Sequence, residues 1–180
     1  DGGAVFTNND EWAALIRSYA VHGKGSMKYD NVRIGMNSRL DAIQAAILRV
    51  KLQAFRDHEI ADVNEHAVWY NEMLVGSELV LPHVPEGVTS SWAQYTVRVP
   101  ITIGRDALQR RLMKVGIPTM VYYPKQMHEQ KAFGGCSFVV SSGCPISNQL
   151  CQEVLSLPIG PYLTKNEVNG VKRALDDILG

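Results

Sequence analysis

The sequence predicts an α/β chain organised in two parts, and three observations carry that prediction. A helical pattern runs without Gly or Pro from residue 38 to residue 75 and changes phase midway. Further on, Trp92 to Val99 alternates, with Ala93, Tyr95, Val97 and Val99 on one face and Trp92, Gln94, Thr96 and Arg98 on the other. That two-residue period marks a half-buried strand. A helix and a second strand follow it, so a small sheet with helices on one face is expected.

Taken in order, Ala4-Val5-Phe6-Thr7 is short, apolar and β-branched or aromatic, and reads as a buried strand. Asn8-Asn9-Asp10-Glu11 supplies N-cap candidates and an acidic first turn, and Trp12, Leu15, Ile16 and Tyr19 then recur at helical spacing. His22-Gly23 is expected to end that helix, with Gly23 just past its last turn. The segment from Lys24 to Ile34 is polar and basic, with Lys24, Lys28 and Arg33, and reads as a loop. Ser38 has the character of an N-cap, and Asp41 three residues on completes a pattern like a capping box. Free N–H groups and the dipole at such a helix start favour an anion.

Along the long helix Leu40, Ile43, Ile47, Val50 and Ala54 form one stripe, and Ile60, Val63, Ala67, Tyr70 and Leu74 a second of shifted phase. Arg56-Asp57-His58-Glu59 lies between them, charged where the first stripe needs apolar residues. The helix therefore bends there or changes packing partner, and a domain boundary is expected, with domains 1–56 and 57–180. Leu79-Val80-Leu81 is a short strand candidate. Leu108, Leu112 and Val115 mark an amphipathic helix ended by Gly116, and residues 117–123 a second strand with Pro118 at its entrance. Residues 124–143 read as a long loop, a length that in compact domains is often functional. Pro145 is expected in the first turn of a helix reaching Leu155, and Thr164-Lys165-Asn166-Glu167 as a capping box before the last helix.

With 180 residues, 46% hydrophobic and 20% charged, the chain has the composition of a globular protein. Its formal net charge is zero, so the electrostatic footprint of nucleic-acid or anionic-membrane binding is missing. No apolar run approaches membrane-spanning length and no signal pattern is visible, so a cytoplasmic protein is expected. Cys136, Cys144 and Cys151 are an odd number without CxxC spacing, which argues against a metal site or a disulfide framework. The chain opens on Asp1-Gly2-Gly3 and enters a strand at once, which reads as a piece of a longer protein.

The stretch Gly35-Met36-Asn37-Ser38-Arg39-Leu40-Asp41, followed by Gln44-Ala45-Ala46-Ile47-Leu48, resembles a segment of the DegT/DnrJ/EryC1/StrS family of sugar-nucleotide aminotransferases. Further matches follow in the family's order: Gly2-Gly3-Ala4-Val5-Phe6-Thr7-Asn8, His22-Gly23, Gln94-Tyr95-Thr96-Val97-Arg98, Tyr123-Pro124 and Leu155-Ser156-Leu157-Pro158-Ile159. The resemblance implies the C-terminal part of an aspartate-aminotransferase-like fold (PLP transferase type I): the end of the large cofactor domain plus a small α+β domain. It implies pyridoxal 5′-phosphate as cofactor, glutamate as amino donor and a nucleotide-linked keto sugar as acceptor, in surface-polysaccharide synthesis. It also implies a homodimer whose active site is shared between subunits, with neither nucleic acid nor membrane as partner. A sugar dehydratase of the same family and a non-catalytic module reusing the small domain remain alternatives.

Site residues follow from the same resemblance. Asn37 is expected to reach the cofactor phosphate of the partner subunit, since an amide NH2 donates to phosphate without adding charge. Arg39 is expected on the substrate side of that turn, where a guanidinium fork suits a sugar carboxylate; the alternative is a surface ion pair. Family members commonly carry His-Tyr-Pro where this chain has Tyr122-Tyr123-Pro124, so Tyr122 and Tyr123 are expected to donate a hydrogen bond or stack on a uracil ring, or to be core aromatics. His128 resembles the His of a Pro-Leu-His run, although Gln126-Met127 precede it here. The lysine that carries the cofactor covalently lies in the family just upstream of the Gly-Asp-Gly-Gly stretch, and Lys24, Lys28, Lys51, Lys114, Lys125, Lys131, Lys165 and Lys172 occupy no matching position. The 180-residue chain alone is accordingly expected to be inactive. Mixed with pyridoxal phosphate and reduced with borohydride, it should yield no stoichiometric lysine adduct by mass spectrometry; one such adduct per chain contradicts the expectation.

Overall fold

In the computed structural model, which describes residues 3–27, 29–133 and 144–180, the chain divides into two units, Asp1–Phe55 and Arg56–Gly180. In the first unit, α1 (Asp10–Tyr19) starts where the Asn9 side chain accepts a hydrogen bond from Trp12 N at 3.0 Å. The helix stops at Tyr19, before His22, because the chain turns back on itself there: Gly23 N donates to Ser18 O at 2.8 Å and His22 N to Met36 O at 2.9 Å. The strand expected over Ala4-Val5-Phe6-Thr7 is not formed, and Phe6 is 92% exposed. A strand needs a neighbouring ladder for its backbone groups, and the described residues of this unit hold no sheet.

The second helix, α2 (Ala42–Ala54), begins three residues later than the capping-box pattern suggests. Ser38 does not cap it; Asp41 occupies the N-cap position and its side chain accepts no capping bond. Ser38 N is instead committed to Ala20 O at 2.9 Å, and Asn37 pairs antiparallel with Val21, so residues 36–38 are held extended. The stripe Leu40, Ile43, Ile47, Val50 and Ala54 is not buried as expected: α2 contains no buried residue, and Ile43 is 78% exposed. The stripe has the period of a packed helix, but nothing described in its own unit covers it.

The helical run is interrupted by a π-helical turn, Phe55–Glu59, before α3 (Ile60–Leu74). A π turn inserts an extra residue into the register, which is the physical reason for the phase change between the two stripes. Glu59, buried at the end of this turn, accepts a hydrogen bond from the Tyr162 hydroxyl.

The second unit is built on β1 (Tyr95–Arg98), α4 (Arg105–Lys114), α5 (Pro145–Glu153), β2 (Val154–Leu157) and α6 (Lys165–Leu179). The strand β1 pairs antiparallel with β2, in the register Tyr95 to Leu157 and Val97 to Leu155. Single bridges extend the ladder on either side, Val80 to Arg98 and Met120 to Ser156, giving the spatial order Val80, β1, β2, Met120. The sequence signalled a strand over residues 117–123, but only the bridge at Met120 forms, and the sheet's main partner is instead β2. The helix begun at Pro145 ends at Glu153, so Leu155 is a strand residue rather than a helical one. Likewise Leu79-Val80-Leu81 contributes a single bridge. The loop beginning at Pro124 holds two short 3-10 turns, Met127–Glu129 and Lys131–Phe133; residues 134–143, Cys136 among them, lie outside the described residues. Cys144 and Cys151 are free thiols.

One face of the sheet carries the core. Tyr95, Val97, Leu155 and Leu157 are buried against Val63, Ala67 and Tyr70 of α3, Leu108 and Leu112 of α4, and Val168, Val171 and Leu175 of α6. Tyr70 stacks on Tyr95 with ring centroids 4.8 Å apart, and Trp92 lies 5.5 Å from Tyr95 on another side. Burial raises the pKa of both phenols, as expected for a group whose charged form is disfavoured in a dry interior. On the other face the Thr96 and Ser156 hydroxyls share a 2.8 Å hydrogen bond. Thr164 and Glu167 form the expected capping box: Glu167 N donates to Thr164 Oγ1 at 3.3 Å, and Thr164 N to Glu167 Oε2 at 2.8 Å.

Arg98 joins the sheet to α5 by donating from Nη2 to Glu153 Oε2 at 2.8 Å, while Gln149 donates to Glu153 Oε1 at 2.7 Å. The Gln149 amide first, and then Arg98, holds the Glu153 carboxyl below the ordinary value of 4.5. A depressed carboxyl contributes stability that is complete above the unfolded-state value and lost as pH falls through the folded one. The stability difference between the parent and Glu153→Gln, measured by urea unfolding, should therefore be constant above about pH 5 and close as the solution is acidified below it. A difference that does not change with pH would show that the carboxylate contributes nothing.

Candidate functional site

Residues 19–38 form a doubled-back corner whose geometry is set by two glycines. A Cβ on Gly35 would lie 2.2 Å from Gly23 N, and one on Gly23, at φ +74°, 1.8 Å from Arg33 O. Both obstacles are backbone atoms, so neither side chain can be accommodated without moving the chain. Met36 N donates to Tyr19 O at 2.9 Å across this contact. Ser18 ties the interior together: its hydroxyl accepts from Arg33 Nη1 at 2.7 Å and donates to Lys24 O at 2.7 Å, and the Arg33 guanidinium lies 5.9 Å from the Tyr19 ring centroid. Arg33 is thus a structural cation of the corner.

At the corner's outer end Arg39 Nε donates to Asn37 Oδ1 at 2.9 Å, and both side chains are exposed. This bond decides the chemistry offered. With its oxygen engaged, the Asn37 amide presents its NH2 group, which has no partner among the described residues. The Arg39 Nη groups are equally free. The pair therefore presents several free N–H donors beside a positive charge and suits an anion with several acceptor oxygens.

The other sequence-predicted residues lie in the second unit. The Tyr122 and Tyr123 rings meet edge to face, with centroids 5.7 Å apart, and both are exposed rather than core aromatics, Tyr122 at 37% and Tyr123 at 69%. Tyr122 lines a groove of about 240 Å³ together with Gln94, Met120 and Ser156. His128 sits exposed in the 3-10 turn Met127–Glu129 and is not among the residues lining that groove. The structure thus brings Asn37 and Arg39 together, and separately Tyr122 and Tyr123. Gln94 and Met120 were not singled out as site residues from sequence, although the alternation over residues 92–99 already places Gln94 on the polar face. No group of three or more His, Cys, Asp or Glu residues is placed to hold a metal ion among the described residues. No described helix is long and apolar enough to cross a membrane.

The sequence profile of the DegT/DnrJ/EryC1/StrS aminotransferase family matches residues 1–176. This chain belongs to that family. It is 38% identical to a UDP-2-acetamido-2-deoxy-3-oxo-D-glucuronate aminotransferase of Pseudomonas aeruginosa, an alignment covering 97% of this chain and 46% of the relative. It is 37% identical to a dTDP-3-amino-3,6-dideoxy-alpha-D-galactopyranose transaminase of Aneurinibacillus thermoaerophilus, again covering 97% and 46%. Its fold superposes on the crystal structure of a DegT DnrJ EryC1 StrS aminotransferase from Brucella abortus with a TM-score of 0.85 and 41% identity, over 97% of this chain and 45% of the other. The chain thus spans about half the length of the curated relatives it matches, and its α/β structure is part of the transferase fold of this family.

Within this family member the corner is the element on which Asn37 and Arg39 depend. Gly35→Ala should cost about 2 kcal/mol or more, because the added methyl meets three backbone atoms within 2.7 Å. Chemical denaturation together with protease accessibility of residues 21–38 checks this; an unchanged midpoint would mean that the close approach of Gly23 and Gly35 is not essential.

Proposed function

We propose that this chain is the C-terminal half of a pyridoxal-phosphate-dependent aminotransferase that moves an amino group from glutamate to a nucleotide-linked keto sugar. In this reading residues 1–56 complete the large cofactor domain and residues 57–180 are the small domain. The enzyme works as a cytoplasmic homodimer with an active site shared between subunits. The single observation carrying the site assignment is the Arg39–Asn37 bond, which turns the amide NH2 outward and leaves the guanidinium fork free.

This cluster of free donors fits the cofactor's phosphate. Asn37 would hold that phosphate in the neighbouring subunit, since a neutral amide donor stabilises a dianion by hydrogen bonding and leaves the net charge unchanged. Arg39, beside it, would grip the carboxylate of a uronic-acid sugar, where bidentate N–H···O geometry also fixes the sugar's orientation. Tyr122 and Tyr123 would bound the nucleotide end of the substrate by ring contacts and phenol hydrogen bonds. The cofactor, when bound, supplies the electron sink that makes transfer of the amino group feasible. Support for the substrate class comes from the two relatives at 38% and 37% identity, which are named for a UDP-linked 3-oxo glucuronate and a dTDP-linked 3-amino sugar.

In the full-length enzyme Arg39→Ala should raise KM for a UDP-linked 3-keto uronate roughly 10- to 100-fold, the loss of about 1.5–3 kcal/mol of charge-assisted hydrogen bonding. It should leave KM for glutamate unchanged. Asn37→Ala should weaken pyridoxal phosphate binding, read by dialysis and cofactor fluorescence. Normal KM for the keto sugar in Arg39→Ala would remove the assignment of Arg39.

A further inference from the structure

The groove beside Tyr122 has a cause that can be read from two prolines. Met120 and Ser156 exchange both backbone hydrogen bonds, at 3.1 and 2.8 Å, in an antiparallel bridge. Antiparallel ladders repeat such doubly bonded pairs every second residue, and the next pair in this register is Pro118 opposite Pro158. Neither proline has an N–H to give. The ladder therefore stops at Met120 and Ser156, and the cavity of about 240 Å³ lies where the rows part.

Its walls are anchored from behind. The Tyr70 hydroxyl donates to Pro158 O at 2.7 Å, and His66 Nδ1–H donates to Gly160 O at 2.8 Å. Both donors belong to α3 and are buried. The cleft is thus preformed, and a guest need not pay ordering entropy for its walls. Its lining is neutral: Pro118, Met120, Pro158 and Ile159 give flat apolar surface, with Gln94 where β1 begins and Tyr122 toward the other end. The Gln94 amide and the Pro118 carbonyl make no hydrogen bond among the described residues. A phosphate or carboxylate finds no countercharge here. The volume falls below the 300–1,000 Å³ usual for a whole small-molecule ligand, which suits one ring of a larger one.

We propose that this groove is the base pocket for the nucleotide sugar, taking a pyrimidine-2,4-dione ring whose imide edge pairs with the Gln94 side chain. The proposal rests on the nucleotide-sugar reading above and adds the place where the base sits and the residue that reads it. An imide edge places a carbonyl acceptor next to an N–H donor, and a glutamine amide places a donor next to an acceptor, so the two join by two hydrogen bonds. Uracil and thymine share that edge and differ only in a methyl group, which the Met120 and Ile159 side accepts without penalty. A purine adds a second fused ring to the same cleft.

The test uses the cofactor-loaded full-length enzyme with UDP, dTDP, GDP and inorganic pyrophosphate as competitive ligands, in the parent, Gln94→Glu and Gln94→Ala. Gln94 is exposed, and both variants should keep the parent's thermal midpoint. UDP and dTDP should bind the parent alike and GDP more weakly. Gln94→Glu, which keeps the acceptor and loses the donor, should weaken UDP and dTDP about tenfold and leave pyrophosphate unchanged. Unchanged UDP affinity in both Gln94 variants, with Arg39→Ala still defective, overturns the base pocket and spares the nucleotide-sugar reading. A parent that binds none of the nucleotides overturns both. GDP preferred over UDP, or pyrophosphate weakened as much as UDP, overturns the base assignment alone.

Discussion

Tyr95 faces Leu157 across a ladder only four residue pairs long, and the second unit depends on that short pairing being covered on one side. Two four-residue strands are not stable alone in water. Here their inner residues carry large side chains into a dry layer. Tyr95 is sandwiched by Tyr70 and approached by Trp92, and its hydroxyl still donates to Asn71 at 2.6 Å. The aromatic cluster thus buries extensive apolar surface without orphaning its phenol. Helix α3 and the π turn before it hold the chain that leaves β2, through Tyr70 to Pro158, His66 to Gly160 and, from the π turn, Glu59 to Tyr162. Polar residues on one helix therefore fix the segment that walls the groove, which ties core packing directly to the shape of a candidate site.

Where local chemistry decided the outcome, the sequence was legible. The Thr164–Glu167 box, the α4 helix and the strand at residues 95–98 all follow from capping and periodicity. The interruption at Arg56-Asp57-His58-Glu59 was visible as charge in an apolar stripe, and the π turn gives it a geometry. Legibility failed where a distant partner decided. Val154 and Leu155 read as the tail of a helix until β1 is placed beside them, and residues 117–123 read as a strand although only Met120 finds a bridge partner. Ser38 reads as a cap until Ala20 claims its N–H. The same holds for the site: Asn37 and Arg39 came from resemblance, but their mutual hydrogen bond, which orients the amide, is visible only in three dimensions.

The first unit shows the opposite balance of forces from the second. It is held by backbone contacts at Gly23 and Gly35 and by the Ser18–Arg33 link, while its helices keep apolar residues such as Trp12, Ile43 and Ile47 exposed. Close backbone approach gives precision without a large core, because a misplaced atom meets hard repulsion rather than a lost contact. The corner thereby fixes the backbone that carries Asn37 and Arg39.

Arg39 and Asn37 also illustrate why the residue types at this corner are not interchangeable. The bond between them uses Arg39 Nε, leaving both Nη groups for a ligand. A lysine at 39 has a single nitrogen, so orienting the amide would occupy the only cationic group the side chain has. An aspartate at 37 would accept from Arg39 as well but would present an oxygen, not an NH2, to an approaching phosphate, and the anion would be repelled. The pair works as a unit in which a cation sets the direction of a neutral dipole. The groove in the second unit has the complementary character: neutral, apolar and preformed around unpaired amide and carbonyl groups. Each surface is fixed within its own unit, the first by backbone contacts at Gly23 and Gly35, the second by buried donors on α3.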